Sequence, residues 1–183
     1  MKERAIFFDR DGTINVEKNF ISSPDDLELI PSAAEALRLA VSQGFRLFVV
    51  SNQSGIAREI MTSDDVERVN LQLEHLLAAE GVSLGGIYYC PHHPSITGPC
   101  DCRKPGRGMI DQALAAYDLD LSKSFVVGDR KLDMELAFNI GARAVMVLTG
   151  WGRRESEVFS DEPEPDYIAE DILEAVNWIV NSG

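Results

Sequence analysis

Residues 4–13 read Arg4-Ala5-Ile6-Phe7-Phe8-Asp9-Arg10-Asp11-Gly12-Thr13. An apolar run of strand length ends on two carboxylates two residues apart, and Gly12 then permits a sharp exit. A run that is apolar throughout fits a strand covered on both faces, as in a parallel sheet. In an open α/β sheet the carboxyl ends of such strands are where ligands bind. The same arrangement recurs along the chain. Residues 45–50, another nearly pure apolar run, lead into Ser51-Asn52, and the strand pattern at 124–127 leads into Gly128-Asp129. Lys104 follows the strand pattern at 87–89 across a longer connection.

Helical patterns alternate with these strands. Ser32 and Glu35 have capping-box spacing ahead of a helix over 33–41, and Gly44 suits its exit. Thr62 and Asp65 open the next helix, on which Val66, Val69, Leu73, Leu76 and Leu77 share a face until Gly81 ends it. Further helices are expected at 109–117 and at 131–139, the latter closed by Gly141. A strand is expected at 144–148, with a short edge strand at 167–168. The last helix turns Ile172, Val176 and Ile179 inward. Residues 150–165 read as an irregular surface loop. Residues 90–107 have no periodicity, and a connection of that length should be functional or tied down. No repeat or linker interrupts the pattern. It predicts a single α/β domain over residues 1–183, a three-layer αβα fold with a mostly parallel sheet and right-handed crossovers.

The 183 residues, 45% of them hydrophobic, suffice for one real core. No apolar stretch is long enough for a membrane span and no apolar leader opens the chain, so a cytoplasmic protein is expected. A formal net charge of -13 argues against a broad nucleic-acid face, which needs a basic surface. It leaves room for a small phosphorylated substrate, because Arg103, Lys104 and Arg107 form a local basic cluster. No surplus apolar stripe calls for a partner, and a monomer is the default.

Singly, these motifs are ordinary: Asp-x-Asp-Gly-Thr makes turns, Ser-Asn follows many strands, and Gly-Asp begins helices. Their joint order and placement carry the reading, which is hydrolysis of a phosphate monoester. Asp9 is placed to attack phosphorus and form an aspartyl-phosphate. Asp11, folded back beside it, can protonate the leaving oxygen and later activate water, which requires the two carboxylates to sit in different environments. Thr13 can tether the turn and steady Asp9. Carboxylate attack on a phosphate needs a compensating cation, and Mg2+ prefers oxygens such as those of Asp9, the Asp11 backbone carbonyl and Asp129. Asp133, four residues after Asp129, suits a supporting role behind a ligand or a lysine, with direct or water-mediated metal contact left open. Arg130 either orients a metal ligand or simply sits in the helix's first turn. The Ser51 hydroxyl and the Asn52 amide can bind phosphoryl oxygens, and Lys104 adds positive charge there.

All three cysteines lie in the 90–107 loop, as Cys90-Pro91-His92-His93 and Cys100-Asp101-Cys102. Cys90, His92, Cys100 and Cys102 form a Cys3His set suited to tetrahedral Zn2+, closed and therefore structural. A disulfide is the competing use, but it leaves one cysteine over and suits a cytoplasmic protein poorly. The metal would fix Arg103 and Lys104 beside Cys102. His93 is the spare histidine, and His75 reads as a surface or packing residue.

The stretches FFDRDGT, VVSNQSG, CRKPGRGM and VVGDRKLDM together resemble the haloacid dehalogenase (HAD) superfamily, specifically its aspartate-nucleophile phosphatases, over almost the whole chain. The resemblance implies strand order 5-4-1-2-3, Mg2+, a phosphoaspartate intermediate and no large cap domain. It assigns Asp9 as nucleophile, Asp11 as acid–base, Ser51 and Lys104 as phosphate holders and Asp129 as metal ligand. VVSNQSGIAR, GIYYCPHHP, CDCRKPGRGM and VLTGWG are similar to the zinc-loop branch that removes the C7 phosphate of D-glycero-D-manno-heptose 1,7-bisphosphate. The histidinol-phosphate phosphatases of the same branch are the alternative, and a non-catalytic zinc-stabilised phosphosugar-binding module is a second. A bisphosphate would occupy Arg103 first, then Arg107 and Arg58, with Asn15, Asn52 and Gln53 near the phosphate or the sugar hydroxyls. Arg58 and Arg107 have the plainer alternative of solvated surface charges. Two departures from the family pattern leave the preferred anomer open. Glu59 follows GIAR where the family often has glycine, and the 93–99 segment between His92 and Cys100 is short.

Overall fold

A computed structural model describes residues 2–157 and 164–182. Six strands, β1 (Arg4–Phe8), β2 (Phe45–Asn52), β3 (Gly86–Cys90), β4 (Phe125–Gly128), β5 (Arg143–Val147) and β6 (Tyr167–Ala169), form one sheet in the order β3-β2-β1-β4-β5-β6. Every neighbouring pair is parallel. Read from the other edge, this is the expected 5-4-1-2-3 order, with β6 added outside β5.

The strands are apolar throughout because alternate residues feed two cores. Ile6, Phe8, Leu47, Val49 and Val127 face one cluster, and Phe7, Phe48, Val50 and Val126 face the other. The first cluster is closed by α1 (Ala33–Ser42), α2 (Ser63–Ala79) and α7 (Ile172–Asn181). Between α2 and α7 in the chain come α3 (Pro94–Thr97), α4 (Gly108–Ala116), α5 (Lys131–Ile140) and α6 (Gly152–Glu157). Of these, α4 and α5 cover the second face, where Phe7 stacks on Phe48 at 5.2 Å between ring centroids. The result is a three-layer αβα fold, without a large cap among the described residues. No helix among the described residues is long and apolar enough to cross a membrane.

Helix ends show where local chemistry decides. Thr62 and Asp65 make the expected capping box on α2, and Gly141 ends α5 in the left-handed conformation at φ 73°. Ser32 does not cap α1 with its side chain. Its backbone is already helical (φ -90°, ψ -3°), so its hydroxyl cannot reach back over the first turn as an extended N-cap residue does. Three further expectations need correction. β2 runs on through Ser51 and Asn52, which pair with Tyr89 and Cys90 and are thereby fixed in the sheet. The 90–107 connection contains α3, started by Pro94 at its first position. Residues 150–165 include α6, and residues 158–163 of that expected loop lie outside the described residues.

Candidate active site

The parallel sheet gathers its carboxyl ends on one side. Asp9 leaves β1 with its backbone N–H still bonded to Val127 O of β4 at 2.8 Å, so the sheet itself fixes the backbone from which the carboxylate projects. Lys104 arrives from the long connection with a side chain only 4% exposed. Its ammonium donates to Asp9 Oδ1 at 2.7 Å, to Asp133 Oδ1 at 2.6 Å and to Val50 O at 2.8 Å. Burial would lower the Lys104 pKa, but the Asp133 and Asp9 carboxylates outweigh it and hold the lysine charged. Its backbone is fastened by the Asn52 side chain, which accepts from Lys104 N at 3.0 Å and donates to Lys104 O at 3.3 Å.

Asp9, Asp129 and Asp133 bring carboxylate oxygens within 4.8 Å of one another. One ammonium does not balance three buried carboxylates. Burial, then Asp9, then Asp133 push Asp129 up to about 9, and burial and Asp9 push Asp133 up to about 6 against the pull of Lys104. Asp129 Oδ2 accepts from Trp151 N at 2.8 Å, whereas Oδ1 is buried without a hydrogen-bond partner. A cluster of hard oxygens with one orphaned lone-pair set fits a divalent cation such as Mg2+. Asp133 has both oxygens engaged, by Lys104 and by Arg130 N at 3.1 Å, which matches a supporting position. The approach is close: a Cβ at Gly12 (φ 86°) or Gly150 (φ 55°) would lie 2.3 or 2.2 Å from Asp129 Oδ2, so only glycine fits either place.

Asp11 stands apart from this trio. Its carboxylate accepts from Arg10 Nη2 (2.9 Å), Gln53 Nε2 (2.8 Å) and Asn15 Nδ2 (3.0 Å). Burial alone would raise its pKa, but Arg10, Asn15 and Gln53 bring it below the ordinary value. The two motif carboxylates therefore do occupy different environments, with Asp11 ionised at rest. Gln53 Nε2 also donates to Ser51 Oγ at 2.8 Å, joining the end of β2 to the first turn. That turn closes through Gly12 N to Asn15 O (2.7 Å) and Ile14 N to Arg10 O (2.9 Å). The Thr13 hydroxyl is buried with no hydrogen-bond partner, so it gives Asp9 no direct bond.

Above these groups lies a cavity of about 300 Å³ lined by Asp9, Asp11, Ser51, Asn52 and Gln53, and by Arg58, Arg103 and Arg130. The three arginines come from separate segments. Arg58 donates to His93 Nε2 at 2.8 Å, Arg103 donates to His92 O at 3.2 Å, and Arg130 lies over the Trp151 ring at 4.9 Å. Arg107 is not brought to the cavity; it pairs with Asp111 at 2.8 Å on the exposed start of α4. Glu17, Asn19, Phe20, Ser54 and Leu132 complete the lining and were not foreseen from the sequence. Asn19 (φ 53°) and Phe20 (φ 57°) are left-handed with no glycine to mark the bend; Asn19 is a residue type that tolerates this conformation, but Phe20 is not, so the signal is weak.

Cys90, His92, Cys100 and Cys102 form a second ligand cluster, as the loop pattern predicts. Sγ of Cys100 is 3.6 Å from Cys90 and 3.7 Å from Cys102, and His92 Nδ1 is 3.3 Å from Cys102 Sγ. These separations approach the edges of a tetrahedron with metal–sulfur bonds of about 2.3 Å. The Cys90–Cys102 edge, at 2.8 Å, is tighter, and all three cysteines are free. The cluster can hold a metal ion.

The comparisons agree with this geometry. A HAD-hydrolase-like family model matches residues 101–175. The D-glycero-D-manno-heptose-1,7-bisphosphate 7-phosphatase of Thermosynechococcus vestitus is 41% identical over 98% of this chain and 96% of its own length. The D-glycero-beta-D-manno-heptose-1,7-bisphosphate 7-phosphatase of Escherichia coli K12 is 39% identical over 97% of this chain and 88% of its own. The crystal structure of the D,D-heptose 1,7-bisphosphate phosphatase of B. bronchiseptica, complexed with magnesium and phosphate, superposes with a TM-score of 0.89 at 29% identity, covering 98% of this chain and 99% of that one. With full-length identity at this level and a common fold, the chain belongs to the D-glycero-D-manno-heptose-1,7-bisphosphate 7-phosphatase family of the HAD superfamily.

Proposed function

We propose that the chain hydrolyses the C7 phosphate of D-glycero-D-manno-heptose 1,7-bisphosphate, releasing inorganic phosphate and the heptose 1-phosphate. The observation that carries this reading is the cavity itself. Asp9 lies in it beside Ser51, and Arg58 and Arg103, from two segments, leave space for a second phosphate that the reaction does not consume.

In this mechanism Asp9 is the nucleophile. Lys104 occupies Oδ1, which leaves Oδ2 to attack phosphorus. The new bond joins that oxygen to phosphorus as the bond from phosphorus to the sugar O7 breaks, and Asp11 gives O7 its proton. Asp11 is ionised at rest; an incoming phosphate dianion opposes Arg10 and raises its affinity for a proton, so Asp11 takes that proton from solvent as the substrate binds. Asp11 then takes a proton from water as that water attacks the aspartyl-phosphate, regenerating Asp9. Ser51 and Lys104 bind the phosphoryl oxygens in flight. Mg2+ would be held by Asp9, the Asp11 carbonyl and Asp129; when bound it screens the phosphate from the nucleophile. Asp133 and Arg130 support that set from behind. Arg103, with Arg58, receives the distal phosphate. The Cys3His cluster takes Zn2+ in a structural role, chosen by three thiolates and an imidazole. The 1–183 chain acts as one domain, as a cytoplasmic monomer.

The test is the initial rate of phosphate release with Mg2+ from the α and β heptose bisphosphates and from histidinol phosphate. Preference for either heptose anomer is expected. Preference for histidinol phosphate would move the chain to the alternative substrate, and binding without turnover would reduce it to a phosphosugar-binding module.

A further inference from the structure

Arg10 lies between the two motif carboxylates, yet it is fully buried at 0% exposure. A buried guanidinium is costly unless its charge is balanced and its N–H groups are met. Asp11 balances the charge through a fork: Nη2 lies 2.9 Å from Oδ2 and 3.1 Å from Oδ1, and Nε lies 3.3 Å from Oδ1. On the opposite edge Nη1 donates to Asn70 Oδ1 at 2.9 Å. Asn70 is itself 9% exposed and belongs to α2, where Val66, Val69, Leu73 and Leu77 form the buried stripe. Amide at that place on the helix meets no need of the stripe; it meets the need of Arg10.

We infer that Asn70 is a positioning residue for proton transfer, acting through Arg10 to fix where the Asp11 carboxylate stands. The inference rests on the acid–base role proposed above for Asp11. The other donors to Asp11 come from its own turn, Asn15, and from the residue following β2, Gln53. Arg10 alone ties it to a helix, and without Asn70 its Nη1 must find a new acceptor by rotating. The fork rotates with it, and the carboxylate leaves the line to the departing oxygen. A misplacement of about 1 Å can cost on the order of a hundredfold in rate.

Asn70→Leu removes the acceptor at similar volume, and Asn70→Asp keeps an oxygen toward Nη1. Each is assayed on the heptose bisphosphate, whose alkoxide needs a proton to leave, and on p-nitrophenyl phosphate, whose phenolate does not. Both are read in single turnovers with enzyme in excess, as the rate of leaving-group release, because the later attack of water, in which Asp11 is the base, is common to the two esters. For Asn70→Leu we expect that rate to fall about tenfold or more on the sugar ester with its half-saturating concentration unchanged, and less than about threefold on the aryl ester. Asn70→Asp is expected to restore most of the sugar-ester rate. Equal losses on both esters, a loss confined to the half-saturating concentration, or no loss would overturn the inference. If thermal melts show Asn70→Leu unfolded, Asn70→Ala decides by the same comparison. Asp11→Asn separates the two levels: if it also slows both esters equally, the acid–base reading is what fails.

Discussion

Replacing Lys104 by Met keeps the length of a buried side chain and deletes its charge. It leaves Asp9, Asp129 and Asp133 facing one another with no ammonium between them. Removing one partner of a buried ion pair costs about 3–5 kcal/mol when the remaining charge has no escape. Here a proton offers one. Burial and Asp9, outweighing Lys104, push Asp133 up from the ordinary 3.8 to about 6. A carboxyl whose folded pKa is raised destabilises the fold fully above that pKa, and the penalty fades as pH falls through it towards the unfolded value. At about 1.4 kcal/mol per pK unit, the shift from 3.8 to about 6 corresponds to about 3 kcal/mol at neutral pH. Without Lys104 the folded pKa moves higher, so relief by protonation reaches further towards neutrality. We therefore expect Lys104→Met to lose about 3 kcal/mol at pH 8, or about 6–12 °C in Tm for a chain of this size, and at most half of that at pH 6. The assay is thermal unfolding by circular dichroism in Mg2+-free buffer, with wild type melted beside the variant at each pH. A loss equal at the two pH values, one that grows towards pH 6, or a gain at pH 8 would refute the reasoning.

Three further outcomes are expected. Stripping zinc with a chelator and then supplying Mg2+ alone should leave kcat depressed by about tenfold or more and lower the Tm, because the 90–107 loop carries Lys104; elemental analysis should find one zinc per chain beforehand. Arg103→Ala should raise KM for the bisphosphate about tenfold or more while sparing a small monophosphate, read from initial rates on both. Glu59→Gly should stabilise by about 0.5–1 kcal/mol in urea denaturation, since a left-handed non-glycine residue costs about 1–3 kcal/mol and added chain freedom returns part of that. Glu59 has φ 57°, which explains why glycine is the expected residue after the Gly-Ile-Ala-Arg stretch.

What could be read in advance depended on whether a signal was local. Apolar runs at β1 and β2, the Thr62–Asp65 box and the αL Gly141 each express backbone physics within a few residues, and each appears in the fold. The ligand cluster of the 90–107 loop was legible because cysteine and histidine announce their chemistry by type. Arg10 was not, although it lies inside the most conspicuous motif. An arginine in a turn looks solvated, and only Asn70, a polar residue in an apolar helical stripe 60 residues away, hinted that a buried cation needed an acceptor. Trp151 N on Asp129 had no residue-type signature, since almost any residue has an amide, and the left-handed Asn19–Phe20 bend had only the weak one of Asn19, with a bulky Phe20 pointing the other way. Ser32 carried a signal that misled, because the turn ahead of α1 had already taken its backbone out of the extended region.

The two bonds between the Asn52 side chain and the Lys104 peptide reproduce the exchange that neighbouring strands make, one donor and one acceptor on each partner. An amide can do this and a carboxylate cannot, because the latter has only acceptors to offer. Spontaneous hydrolysis of Asn52 to aspartate would therefore turn one of the two bonds into a repulsion between oxygens and loosen the lysine's backbone, leaving its ammonium as the remaining tie to β2. The precision with which the loop presents Lys104 is thus tied to the chemical age of one side chain. In aged preparations the loss of activity should track a mass gain of a single unit on the peptide that contains Asn52.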